Sequence, residues 1–237
     1  MADRRLIIVS GATGTLGTAV YQRLIEHDYH PILLSRNAQA LQEIKSSQSS
    51  ALDVFPCDVT DTKRIAELYE QPFMKEGVVA GVVACAGVLR MGASDAFSEH
   101  DWDTTIRSNL DGTFMLFQKA IPHMLHGGTL IAIGSRWANG AKNATAYAAS
   151  KSALRGMINS MQNEYAGTAI RPVLLSPGSI ASPMSGSVND VANEANILRP
   201  TDVADTILHI LQSPQRVIFK EITMLAYNYD LTDEYRT

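Results

Sequence analysis

Tyr147 and Lys151, in the run Tyr147-Ala148-Ala149-Ser150-Lys151, are the residues whose types and spacing best suit chemistry. A separation of four on a helix puts both side chains on one face, about one turn apart. A phenol titrates near ~10 in water and is a poor acid–base group at neutral pH unless a neighbouring cation favours its phenolate. Lys151 supplies such a cation. Twelve positions before Tyr147, Ser135 follows the apolar run Thr129-Leu130-Ile131-Ala132-Ile133-Gly134. If that run is a strand of an open α/β sheet, its C-terminal end borders the ligand crevice. Taken alone, a tyrosine four residues before a lysine is frequent by chance, so its weight depends on its surroundings.

A second chemical signal lies near the N-terminus, where an apolar run ends in Ser10-Gly11-Ala12-Thr13-Gly14-Thr15-Leu16-Gly17 and a helical pattern begins at once. Glycines at this spacing permit a tight turn, close approach of the backbone to a pyrophosphate, and close helix–strand packing. The helix start then offers unpaired N–H groups and a positive dipole end to phosphate. The context predicts dinucleotide binding by Gly11, Thr13, Gly14, Thr15, Leu16 and Gly17. After the second apolar run the chain reads Leu33-Leu34-Ser35-Arg36-Asn37, with no acid to hold a ribose 2′-hydroxyl. Arg36 can form a charge-assisted fork to a phosphate and Ser35 can donate a hydroxyl, so NADP(H) is the expected cofactor. Farther on, Asp58 can accept from the adenine amino group with Val59 beside the ring. Thr60 or Asp61 can equally cap the next helix, and both readings can hold together.

Elements able to position these groups are visible in the pattern. Apolar runs at Leu6 to Ser10, Pro31 to Ser35, Ala51 to Pro56, Val78 to Ala84, Thr129 to Gly134, Ile170 to Ser176 and Arg216 to Ile222 lack strict polar alternation, as strands buried on both faces do. Helix-patterned stretches separate them. The expected fold is therefore α/β, a Rossmann-like doubly wound parallel sheet of about seven strands with helices on both faces. At 237 residues, without a long linker or repeat, residues 1–237 read as one domain. One long helix is expected from about Ser98 to His126 and another from about Thr145 to Ala166. The apolar residues Trp102, Ile106, Leu110, Phe114 and Phe117 of the first either serve the core or meet a second copy, and a homodimer or homotetramer is expected.

A net charge of −4 disfavours binding to a nucleic-acid backbone. No run approaches the ~18 apolar residues of a membrane span, and the N-terminus lacks a secretory pattern, so no membrane partner and a cytoplasmic location are expected. Cys57 and Cys85 read as reduced, packed thiols. His123 and His126 lack a third ligand or paired acid, and no metal site is expected.

Taken together, these motifs in this order resemble the short-chain dehydrogenase/reductase family over nearly the whole chain. The resemblance implies an Asn-Ser-Tyr-Lys tetrad, carried onto Asn109 (in Arg107-Ser108-Asn109-Leu110-Asp111-Gly112), Ser135, Tyr147 and Lys151. It implies that Ala86 and Gly87, after the fourth strand, border the cofactor. It likewise implies that Pro177, Gly178 and Ile180 form the nicotinamide loop, with Ser182 where the family often has a threonine. The implied reduction moves a hydride from NADPH to a carbonyl carbon while Tyr147 protonates the alkoxide and Ser135 orients it. Lys151 would bind the nicotinamide ribose and lower the Tyr147 pKa, and Asn109 would hold a relay water. The glycine spacing is nearer that of the family's longer extended members, with Thr15 where short members often have glycine. Ala84 and Cys85 replace two asparagines that often support the central strand. Residues 183–199 can form a small substrate lid, and Arg136 and Trp137 can shape the pocket for a small carbonyl or alcohol. A non-catalytic NADP-binding regulator on the same fold is the alternative. A sugar-nucleotide epimerase lacks its substrate region.

Overall fold

The structure, a computed structural model, describes residues 4–48, 51–186 and 197–228. Seven parallel strands form one sheet in the order β3-β2-β1-β4-β5-β6-β7. They are β1 (Arg4–Ser10), β2 (His30–Ser35), β3 (Asp53–Pro56), β4 (Gly77–Ala84), β5 (Gly128–Ile133), β6 (Ile170–Pro177) and β7 (Glu221–Met224). Alternate side chains of one strand enter opposite cores, which is why these runs show no polar alternation. Leu6 and Ile8 join Leu116, Phe117, Leu154 and Ile158 on one face. Ile7 and Val9 join Val20, Leu24, Leu41 and Ile207 on the other.

The first face is covered by α3 (Thr62–Leu68), α5 (Gly112–Ala120) and α6 (Thr145–Glu164). The second is covered by α1 (Thr15–Glu26), α2 (Ala38–Gln48) and α7 (Pro200–Gln212). Chain order runs outward from β1 to β3 and returns to β4 beside β1. The C-terminal ends of β1 and β4 therefore flank the switch point where ligands bind in such sheets.

Two expectations need correction. The helix expected from Ser98 to His126 is broken into α4 (Glu99–Ile106), a wider π turn at Arg107–Asp111, α5, and a short 3₁₀ turn at Ile121–His123. Ser98 caps its start by accepting from the Asp101 N–H, and Pro122 follows the last regular turn. Nothing in a 3.6-residue apolar pattern separates an α turn from a π turn. The last strand is Glu221–Met224, not Arg216–Ile222. Buried Arg171 reaches across from β6 and its Nη1 donates to the carbonyls of Ser213, Pro214 and Val217, holding the approach to β7 as a turn. Trp102 on α4 and Phe114 on α5 remain 41% and 38% exposed. Among the described residues no helix is long and apolar enough to cross a membrane.

Candidate active site

A cavity of about 540 Å³ opens at the C-terminal ends of β1, β4, β5 and β6. Its first wall is the turn between β1 and α1. Gly11 adopts φ +65°, and a Cβ there would lie 2.8 Å from the Ala86 nitrogen. A Cβ on Gly17 would collide with the Gly11 carbonyl oxygen. These are the close approaches that only glycine allows. Gly14 caps α1 without a side-chain hydrogen bond, and no acid stands in the helix's first turn. The first N–H groups, which no intrahelical carbonyl can satisfy, are left to an anion. Gly11, Thr13, Gly14, Thr15, Leu16 and Gly17 all line the cavity.

At the end of β2, the Ser35 hydroxyl lies 2.7 Å from the Thr13 hydroxyl and accepts from the Asn37 N–H. Arg36 is exposed at the rim and makes no hydrogen bond or ion pair with the described residues. Asp58 and Val59 border the same end of the cavity. The capping reading is seen at Asp61, which accepts from the Arg64 N–H at the start of α3, while Asp58 lines the cavity and fixes Thr60 through its N–H and hydroxyl. One carboxylate oxygen of Asp58 makes both bonds.

The opposite wall carries Ser135, Tyr147 and Lys151. Ser135 follows β5, and its Oγ accepts from the Trp137 N–H at 3.1 Å as it caps a short 3₁₀ turn, Arg136–Asn139. The Ser135 hydroxyl also acts on the Tyr147 phenol and favours its phenolate. Tyr147 and Lys151 project from the first two turns of α6, with Lys151 Nζ 5.5 Å from the Tyr147 ring centre. Lys151 is 5% exposed and donates to the Ile133 carbonyl at 2.8 Å. Burial disfavours its ammonium and lowers its pKa to about 8. The expected lowering of Tyr147 is reversed here. Burial pushes the phenol above its ordinary value, and the Ser135 hydroxyl only partly opposes it. The ammonium is turned toward Ile133, which is the geometric reason its charge does not dominate the phenol.

Asn109 lies behind this wall, fully buried in the π turn. Its Nδ2 donates to the Val88 carbonyl and Ser150 Oγ, and its Oδ1 accepts from the Val88 N–H. A Cβ on Gly87 would sit 3.1 Å from that Oδ1. Asn109 thus pins the segment after β4, and Ser10, whose Oγ accepts from the Ala86 N–H, pins it from β1. These two side chains support the segment in which Ala84 and Cys85 stand. Of all the residues expected at the site, Asn109 alone does not line the cavity.

The remaining wall is the loop after β6. Pro177, Gly178, Ile180 and Ser182 line the cavity, and the Gly178 N–H donates to the Met224 carbonyl at 2.7 Å. Ile180 pairs with Leu198, and Leu198 donates its N–H to Ser179. Within the expected lid at 183–199, a short turn at Pro183–Gly186 and the Leu198 anchor are seen, while 187–196 lie outside the described residues. Sequence reasoning missed Cys57, Cys85, Val88, Leu89 and Ser108 as lining residues. All but Leu89, which lies two positions beyond Gly87, adjoin a residue that was identified, and that adjacency was the only signal. Burial raises the Cys57 thiol to about 11 and the Cys85 thiol to about 12, so both remain inert thiols. His123 stacks on Tyr69, with ring centres 4.1 Å apart.

The sequence matches the model of the short chain dehydrogenase family over residues 5–193. An uncharacterised oxidoreductase of Staphylococcus aureus is 29% identical over 224 residues, covering 93% of this chain and 96% of that protein. Sepiapterin reductase of Chlorobaculum tepidum is 28% identical over 244 residues, covering 98% and 100%. Among solved structures, the closed form of serine dehydrogenase complexed with NADP+ superposes with a TM-score of 0.89 at 24% identity, covering 95% and 96%. A parallel sheet with this cavity at its switch point defines a doubly wound α/β protein. The chain belongs to the short-chain dehydrogenase family and is an oxidoreductase of that family.

Proposed function

We propose that the chain is a single-domain NADP(H)-dependent oxidoreductase that interconverts a small-molecule carbonyl and its alcohol, with Tyr147 as acid and base. The observation that carries this reading is the convergence of Ser135, Tyr147 and Lys151 on the cavity that also holds the glycine turn and Arg36. The cradle fits a dinucleotide phosphate: glycines where a Cβ would collide, and a helix start with neither side-chain cap nor acid. Arg36 suits a ribose 2′-phosphate, with Ser35 and Thr13 beside it, and Asp58 and Val59 would flank adenine. Ala86, Gly87, Pro177, Gly178, Ile180 and Ser182 would bound the rest of the cofactor.

When bound, NADPH supplies a hydride equivalent at its nicotinamide. Tyr147 gives its phenolic proton to the developing alkoxide, and the burial that keeps the phenol protonated suits reduction. Ser135 donates to the same oxygen and orients the carbonyl. Lys151 would bind the ribose hydroxyls of the cofactor. With its pKa near 8, it also passes protons near neutral pH, which suits a relay from solvent through a water beside Asn109. Trp102 and Phe114, exposed on α4 and α5, support self-association as a homodimer or homotetramer.

The test is NADPH and NADH oxidation, each followed against aldehydes, ketones and 3-oxoacyl thioesters. Turnover with NADPH well above that with NADH is expected. Tight NADPH binding without turnover across the panel would replace the enzyme by a cofactor-binding regulator.

A further inference from the structure

Arg155 stands on α6 one turn beyond Lys151 and takes no part in the cavity. Its Nε and Nη2 hold the Glu221 carboxylate at 3.0–3.2 Å, while Nη1 donates to Asn139 Oδ1 at 3.0 Å. Glu221 opens β7 and accepts from Ser176 Oγ at 3.0 Å. Ser176 is 1% exposed and immediately precedes Pro177 and Gly178. Asn139 closes the 3₁₀ turn that Ser135 caps, and Ser152 Oγ on α6 ties the same turn down through the Ala138 carbonyl. One guanidinium therefore joins three walls: the Ser135 turn, the Tyr147–Lys151 helix, and the loop after β6.

Isolated exposed ion pairs add little stability. A two-pronged arginine–carboxylate fork, however, fixes orientation as well as distance, and a lysine cannot reproduce it. Here each partner spends its remaining bonding capacity on a different element. Gly134 lies against Ser176, where a Cβ would meet Ser176 Oγ at 2.5 Å, so a shift of β6 is felt directly at the strand that carries Ser135.

We propose that Arg155 and Glu221 are a positioning pair that holds the Ser135 turn and the Pro177–Gly178 loop in register with Tyr147. This rests on the reading of Ser135 and Tyr147 as the reacting pair. The pair touches neither substrate nor cofactor and acts through the placement of Ser135 beside Tyr147 in the cavity wall.

The test is ionisation of Tyr147, read from near-ultraviolet phenolate absorbance in protein saturated with NADP+. Each curve is corrected by its Tyr147→Phe counterpart. Arg155→Met and Glu221→Gln should each raise the Tyr147 midpoint by about half to one unit as Ser135 loses alignment. Asn139→Ala, a surface change that cuts only the link to the Ser135 turn, should shift it the same way by less. The charge-swapped pair Arg155→Glu with Glu221→Arg should recover part of the shift. Midpoints equal to wild type in folded single variants and in Asn139→Ala would overturn the pair. Turnover of Tyr147→Phe separates the two ideas. An unmoved midpoint with Tyr147 essential removes only the positioning pair, and a moved midpoint with Tyr147 dispensable removes only the catalytic reading.

Discussion

At the end of the cavity built by β1, α1 and β2, the available groups are main-chain amides and the exposed Arg36 guanidinium. At the end built by β5 and α6 they are side chains withdrawn from water: Lys151 at 5% exposure and Ser135 at 8%. The first kind of site costs the fold little, because its N–H groups are unpaired in any helix start and Arg36 stays hydrated. The second places an ammonium where burial drags its pKa down to about 8. Substitutions at the first end should change affinity and cofactor choice. Those at the second should change chemistry and the pH dependence of stability.

The largest separation between the ends is expected at Lys151. An unfolded chain holds this proton up to about 10.5, and the folded chain only up to about 8. Between those values the unfolded state binds more protons, so stability rises with pH; below 8 both states are charged and the burial cost is fully present. Lys151→Met removes this dependence. The stability of the variant minus that of wild type, from urea melts, should fall by roughly 3 kcal/mol between pH 7 and pH 11. A flat difference would mean that Lys151 titrates as it does in water.

Arg36→Gln probes the other end. It should weaken NADPH relative to NADH by roughly ten- to two-hundred-fold, the ~1.5–3 kcal/mol of a charged hydrogen bond, with thermal stability unchanged. Dissociation constants from nicotinamide fluorescence would show this, and equal loss for both cofactors would remove Arg36 from the 2′-phosphate site. The smallest effect is expected at Asp61→Ala. It strips the cap of α3 and should cost about 1 kcal/mol in chemical denaturation. NADPH affinity should hold, because Asp58 keeps its own bonds to Thr60. A large affinity loss would show that the cap, and not Asp58 alone, shapes the adenine end.

The sheet and the glycine turn were legible because burial on both strand faces and the absence of a Cβ are written in residue types. β1, β2 and β6 lie within one or two residues of their expected limits. The π turn was not legible, since the residues of Arg107–Asp111 continue an ordinary helical pattern and only main-chain bonding distinguishes them. Nor was the limit of β7, which depends on Arg171, a residue about fifty positions earlier in the chain. Ser135, Tyr147 and Lys151 were found by type and spacing. The direction of the Tyr147 shift was not, because spacing brings a lysine near a phenol but does not tell which carbonyl its ammonium will prefer. Arg155 was missed for a related reason: its partners come from three separate elements that only the fold brings together.

The most direct measurement is single-turnover NADPH oxidation by wild type and Tyr147→Phe at saturating cofactor, with a carbonyl that the wild type reduces. We predict a hydride-transfer rate lower by ~100-fold or more, the scale of a lost general acid, with NADPH affinity nearly unchanged. Equal rates in the two proteins would contradict the account and move the proton donor elsewhere.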